Sequence, residues 1–372
     1  MSKLREQSLW RSLPEIPENC VNFSTNDYLG LSRHPRVTAA AARALEKYGA
    51  GGRSSRLISG TSDLHLELES KLAAFKRTEA CLVFPTGYMA NLGVLASLLG
   101  EGDAVIADRL NHASLIDAAK LSRARLFVYE HRSAASLEKV LGRTQSYKKR
   151  LVVTDSLFSM DGDLAPLPEL AALARSHEAW LMIDDAHATG VLGKDGIGGL
   201  EHYGMLGGAE IVMGTLSKAL GSQGGFVCGS KDLIHFLVNR ARSFIYTTAL
   251  APASCAAALA ALEIIGQEPE RRQTLMENAS YLCGELKRNF SGEARLLNGF
   301  ATPIIPFLTD EPERTLRISK ELLERGIFVP AIRPPTVPKG ECRLRFSLSS
   351  SHSKDDIRAL LDSLESVFSR AS

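Results

Sequence analysis

The stretch Ala209-Glu210-Ile211-Val212-Met213-Gly214-Thr215-Leu216-Ser217-Lys218-Ala219-Leu220-Gly221 decides how this chain is read. Its first six residues form an apolar run that predicts a short buried strand. A second apolar run, Phe226 to Cys228, follows the turn Gly221-Ser222-Gln223-Gly224-Gly225. A lysine between two buried strands, flanked by hydroxyls and glycines, sits at a strand end facing a cleft. Desolvation there lowers an amine pKa and makes it a nucleophile toward carbonyls. A lone lysine in a loop is more often a solvated surface residue, so a second signal is needed.

That signal is Trp180-Leu181-Met182-Ile183-Asp184-Asp185-Ala186-His187-Ala188-Thr189-Gly190. Four apolar residues predict a buried strand, and Asp184 and His187 lie where it ends. Open α/β sheets bind ligands at the carboxyl ends of their strands, and a buried carboxylate there needs a cationic partner. Asp184 can supply charge to a protonated ring nitrogen, and His187 a hydrogen bond to a phenolic oxygen. A lysine for an aldehyde and an aspartate for a pyridinium is the pairing that pyridoxal phosphate requires.

Further out, strands near 80–84, 103–107, 125–129, 150–154 and 179–183 alternate with helical stretches near 36–48, 64–77 and 89–99. This alternation predicts a mostly parallel, doubly wound sheet sandwiched by helices. The turn Pro85-Thr86-Gly87-Tyr88 opens a helix, whose free N–H groups and dipole favour an anion, so Gly87 and Tyr88 are the candidate phosphate seat. His112 follows a strand end in Asn111-His112-Ala113-Ser114; a lone histidine there is more often structural. Asp161 and Asp163 order a turn after Ser159, or mark a metal site; two carboxylates without further ligands argue against the metal.

The loop Gly49-Ala50-Gly51-Gly52-Arg53-Ser54-Ser55-Arg56-Leu57-Ile58-Ser59-Gly60 reads equally as a flexible linker or a binding loop. It lacks the closing Gly-Lys-Ser/Thr of a P-loop. From about residue 268 the pattern becomes a long helix (269–289), a strand (302–308), a helix (311–325), a strand (342–348) and a last helix (354–369), a smaller α/β domain. Arg343 and Arg345, two apart on a strand, share a face, and a bidentate arginine is the expected reader of a carboxylate.

These motifs, with Asn22-Phe23-Ser24-Thr25-Asn26-Asp27-Tyr28-Leu29-Gly30-Leu31 and Ser159-Met160-Asp161-Gly162-Asp163, resemble the α-oxoamine synthases, a group of fold-type-I pyridoxal-phosphate enzymes, from about Asn22 to the C-terminus. Within the group the chain looks most like the biotin-pathway member. The resemblance implies pyridoxal 5'-phosphate bound as a Schiff base on Lys218, and L-alanine condensed with pimeloyl-CoA or pimeloyl-acyl carrier protein. It also implies a homodimer with shared active sites. It places His112 stacked on the cofactor ring, Ser159 beside that ring, Thr215 on the phosphate, and Thr248 (or, second, Thr247) on the phosphate held by the neighbouring subunit. Arg11, Asn26, Thr336 and Arg345 would contact substrate, Arg345 through the carboxylate. The alternatives are a sister enzyme using glycine, a 2-amino-3-ketobutyrate ligase or a 5-aminolevulinate synthase, a serine-using sphingolipid-type synthase, or a non-catalytic protein that kept the fold.

The expected domains are an N-terminal arm, 1–36, packing with the small domain; a large cofactor-binding domain, 37–267; and a small C-terminal domain, 268–372. A net charge of +2 lacks the footprint of a nucleic-acid binder. No apolar run reaches the length of a membrane span, and no signal-peptide core is present. Six cysteines without a CxxC pair suggest neither a metal site nor a disulfide framework. The expectation is a cytoplasmic enzyme without a metal.

Overall fold

The computed structural model describes residues 9–10, 13–290, 295–296 and 302–369. The chain divides into two compact units. The larger comprises Gly30–Phe158 and Leu164–Pro269; the smaller gathers the described residues up to Leu29, those of Ser159–Asp163, and those from Glu270 onward. The excursion at Ser159–Asp163 interrupts what the sequence presents as one unbroken large domain from 37 to 267.

In the larger unit, seven strands form one sheet: β1 (Ala80–Phe84), β2 (Ala104–Asp108), β3 (Arg125–Tyr129), β4 (Arg150–Asp155), β5 (Trp180–Asp184), β6 (Ile211–Thr215) and β7 (Gly225–Gly229), in the order β1-β7-β6-β5-β4-β2-β3. The β2/β3, β2/β4, β4/β5 and β5/β6 pairs are parallel, whereas β7 runs antiparallel to both β1 and β6. β2, β6 and β7 are buried along their whole lengths, as continuous apolar runs covered on both faces require.

Helices α1 (Pro35–Tyr48), α2 (Asp63–Lys76), α3 (Gly87–Leu98), α4 (Ala113–Ser122), α5 (Ala134–Arg143), α6 (Leu167–Ser176), α7 (Lys231–Arg240) and α8 (Pro252–Gln267) accompany the sheet. Val94 and Leu95 of α3, Leu115 and Ala118 of α4 and Leu237 of α7 share a core with Val105, Val153, Met182, Ile211 and Val227 of the strands. Truncating one such leucine to alanine costs about 2–5 kcal/mol. In α2, Leu68 and Leu72 are buried, and so are the polar His65 and Lys76.

The smaller unit holds a four-stranded antiparallel sheet, ordered Ala331–Ile332, Cys342–Ser347, Ile304–Asp310, Arg295–Leu296. Its helices span Glu270–Asn289, Pro312–Glu324 and Lys354–Ser369. Phe290, Phe307 and Phe368 meet edge to face at ring separations of 5.5–5.8 Å, and this cluster anchors the unit's core. A short strand, Val21–Asn22, pairs in parallel with Ile327–Phe328. Beyond it, local side-chain bonds take over: Asn22 Oδ1 accepts from Ser24 N–H at 2.8 Å and Thr25 Oγ1 from Asp27 N–H at 3.0 Å.

Candidate active site

The carboxyl ends of β4, β5 and β6 open onto a cavity of about 200 Å³ in the larger unit. Gly87, Tyr88, His112, Asp184, His187, Thr215 and Lys218 line it, together with Ser114, Asp155 and Ser217. Seven of the residues singled out from sequence, contributed by four different segments, thus share one cavity.

Asp184 ends β5 and is 4 % exposed. Its Oδ2 accepts from Asn91 Nδ2 at 2.8 Å and its Oδ1 from Ala186 N–H at 3.0 Å. Among the described residues its hydrogen-bond donors are neutral groups, an amide and a backbone N–H. Asp155, directly opposite on β4, accepts from Asn111 Nδ2 at 2.8 Å and from His112 N–H at 3.1 Å. Burial, reinforced by Asp184, pushes the Asp155 carboxyl up to about 8.

His112 is the N-cap of α4, where its ring nitrogen takes the place of the usual capping oxygen. Desolvation lowers its pKa; Asp184 pulls it upward and Lys218 adds to the lowering. The ring remains open to the cavity on its accessible side.

The start of α3 fits an anion. Thr86 caps it, accepting from Met89 N–H at 3.1 Å, which leaves the N–H groups of Gly87 and Tyr88 in the first turn. Two glycines permit its approach to the sheet: a Cβ on Gly225 would lie 2.5 Å from Gly87 Cα. The Tyr88 hydroxyl donates to Asp117 at 2.6 Å, so the backbone, not the phenol, is what Tyr88 offers the site. Thr215 Oγ1 donates to Gly224 O at 2.7 Å and accepts from Ser217 N–H at 3.1 Å. Both contacts lie within the β6–β7 turn at the cavity's edge.

An amine on the turn after β6, a buried carboxylate with only neutral donors and a helix start fit a group carrying an aldehyde, a ring nitrogen that can be protonated and a phosphate.

Thr248 lies outside this cavity. It is exposed and forms an isolated antiparallel bridge with Ser55. The glycine-rich loop ahead of it is built, not slack: Ala249 N–H donates to Ser54 O at 2.9 Å, and a Cβ on Gly52 would lie 2.1 Å from Ala249 O.

The smaller unit holds the remaining candidates. Arg345 is 5 % exposed. It donates to Ser159 O, Ser347 Oγ and, at 3.4 Å, Asn26 Oδ1; among the described residues no acidic side chain is its partner. Arg343, fully buried, is paired with Asp161 and with Glu341, the latter at 2.9 Å. Ser159 thus contributes its carbonyl to Arg345. Thr336 is exposed, its N–H donating to Arg333 O at 3.1 Å. Arg11 lies outside the described residues.

Sequence reasoning missed Asn91, Ser114, Asn111 and Asp155. Asn91 carried a usable signal: an amide inside the apolar helix Gly87–Leu98 must find partners when buried.

Fold and site together define a lysine-centred enzyme of the fold-type-I pyridoxal-phosphate class. The chain belongs to the aminotransferase class I and II family, whose model matches residues 18–364, and within it to the α-oxoamine synthases. It is 47% identical over 376 residues to the 8-amino-7-oxononanoate synthase of Methylococcus capsulatus, covering 97% of this chain and 95% of that one. It is 42% identical over 376 residues to 8-amino-7-oxononanoate synthase 1 of Bacillus subtilis, covering 98% and 95%. Among solved structures, a serine palmitoyltransferase from S. paucimobilis with PLP–myriocin bound superposes with a TM-score of 0.92 at 32% identity, covering 98% of this chain and 95% of that one.

Proposed function

We propose that this protein condenses L-alanine with a pimeloyl thioester, on CoA or on acyl carrier protein, releasing CO2 and the free thiol and forming 8-amino-7-oxononanoate for biotin synthesis. The observation that carries the reading is the convergence of Lys218, Asp184, His187 and His112 on one cavity, in a chain whose relatives at 42–48% identity bear that enzyme's name.

Bound pyridoxal 5'-phosphate supplies an electron sink for the carbanion at the amino acid's Cα. The protein does the rest. Asp184 keeps a proton on the ring nitrogen. His187 donates to the ring oxygen, and His112 covers the ring face. The N–H groups of Gly87 and Tyr88 hold the phosphate, joined by Thr248 of a second copy, with Thr247 the other candidate. Lys218 carries the cofactor as its covalent tether. Its Nζ would also serve as the base for the proton at the amino acid's Cα. Arg345 takes the amino-acid carboxylate with help from Asn26, Ser159 acts beside the ring, and Thr336 and Arg11 contact the substrates.

In this reading the working form is a homodimer with shared active sites. No described helix is long and apolar enough to cross a membrane. The six cysteines are unpaired, and we place the reaction in the reducing cytoplasm.

A second reading is a serine-using acyltransferase. It is favoured by the serine palmitoyltransferase likeness, which exceeds the TM-score of 0.80 at 30% identity for the 8-amino-7-oxononanoate synthase of Francisella tularensis. Visible absorption of the holoenzyme during separate titration with L-alanine, glycine and L-serine separates them, combined with thiol release from pimeloyl and palmitoyl thioesters. Alanine with pimeloyl thioester should respond best. Preference for serine with a long acyl chain, or for glycine, would overturn the proposal.

A further inference from the structure

Beside the cavity runs a chain of short hydrogen bonds whose protons can be counted. Asn91 Nδ2 lies 2.8 Å from Asp184 Oδ2 and 2.8 Å from Ser114 Oγ, and Ser114 Oγ lies 2.7 Å from His112 Nδ1. Asn91 and Ser114 are fully buried.

A carboxylate only accepts, so the end of the Asn91 amide facing Asp184 must be its NH2 group. The Asn91 carbonyl oxygen is left without a partner, so the amide's orientation is set by Asp184 and not by any donor to Oδ1. The second N–H of that amide goes to Ser114 Oγ. The Ser114 hydroxyl, having accepted there, has a proton to donate, and the one acceptor within its reach among the described residues is His112 Nδ1. Ser114 N–H also points at the same nitrogen, from 3.3 Å. Two donors converge on Nδ1, which must therefore carry a lone pair. A neutral imidazole has one lone-pair nitrogen and one N–H.

We propose that Asn91 and Ser114 are positioning residues that lock His112 as the neutral Nε2–H tautomer, so that the cavity receives an N–H donor from this ring. Imidazolium would set an Nδ1–H against the Ser114 hydroxyl proton, and the lowered pKa of His112 agrees in direction. Nε2 has no hydrogen-bond partner among the described residues, and a donor there matches an oxygen acceptor: a substrate carboxylate or carbonyl. That use rests on the function proposed above. The tautomer does not, because it follows from the protein's own network.

The test is a long-range 1H–15N spectrum of the holoenzyme labelled with 15N-histidine, with His112 assigned by its loss in His112→Gln. Wild type should show the Nε2–H pattern alone. Ser114→Ala should give mixed tautomers and a His112 pKa raised by about half a unit or more. Ser114→Thr, which keeps the hydroxyl, should restore both. Asn91→Ala, which frees the hydroxyl to rotate, should also mix the tautomers and serves if Ser114→Ala does not fold. In parallel, the acid limb of kcat/KM for the preferred amino acid should move to higher pH in Ser114→Ala and return in Ser114→Thr. A proton on Nδ1 in wild type, or an unchanged pattern in both Ser114→Ala and Asn91→Ala, overturns the proposal. Absence of turnover with every acyl thioester would sink the functional reading and leave the tautomer result standing.

Discussion

Asp184 and Asp185 are neighbours in sequence, both at the end of β5 and both buried, yet they do opposite things. Asp184 faces the cavity and is held by an amide and a backbone N–H. Asp185 faces away and is bound to the ammonium of Lys76 at 2.7 Å, with Ser156 Oγ at 2.5 Å and Gly199 N–H at 3.0 Å completing its shell. Lys76 also donates to Thr189 Oγ1 at 2.8 Å, on the turn that carries His187. The arginines repeat the contrast: among the described residues Arg343 has two acidic partners and Arg345 none. A charge satisfied by the opposite charge holds the fold together, whereas a buried charge held only by neutral groups keeps its field for a ligand.

The largest effect should come from Lys218→Ala. Turnover should fall by about three orders of magnitude or more, because the group that moves the proton is gone. Its urea midpoint without cofactor should stay within about 0.5 kcal/mol of wild type. Retained turnover would break the division between structural and functional charges at its centre.

Lys76→Met inverts that pattern. It strands Asp185 in the interior and should cost about 3–5 kcal/mol in urea unfolding, most of it recovered by the double variant Lys76→Met with Asp185→Leu. A single variant as stable as wild type would show that Asp185 does not need its partner.

The arginine pair sharpens the contrast at smaller scale. Arg345→Lys should raise the KM for the amino acid by about 10–100-fold through loss of the bidentate fork, with little change in stability. Arg343→Lys should lower the unfolding midpoint and leave that KM near wild type. Steady-state kinetics beside denaturation curves read both.

The smallest effect is a slope. The folded-state pKa of Asp155 is raised to about 8, so the folded protein holds a proton there that the unfolded chain has already released. Unfolding then liberates a proton, and this site's contribution to stability declines as pH rises from the ordinary carboxyl range to about 8. Asp155→Asn should flatten that decline in cofactor-free protein. A slope unaltered by the substitution would assign it elsewhere.

The main-chain architecture was largely legible because its signals are local. Apolar runs of about five residues between helical stretches read as buried strands, and the glycine turns fell at their ends. The residue types facing the cavity were legible for the same reason, since Asp184, His112 and Lys218 each follow a strand. Other assignments required distant partners. Lys76 meets Asp185 across 109 residues, and its position at the end of an amphipathic helix reads as solvated. Asp155 meets His112 across 43 residues. The Thr215 hydroxyl turned inward to Gly224 because the tight β6–β7 turn offered a carbonyl at 2.7 Å.

By itself the sequence determined the alternating sheet, the strand-end placement of the lysine, aspartate and histidines, and the chemistry those groups can perform. Each depends on periodicity and residue type within a few neighbours. Only the tertiary structure decided which of two adjacent aspartates and which of two nearby arginines is balanced by an opposite charge, and in which direction the Asn91–Ser114–His112 protons point. Those outcomes depend on what lies within about 3 Å through space, and a buried charge or hydrogen bond is settled at that distance regardless of its separation along the chain.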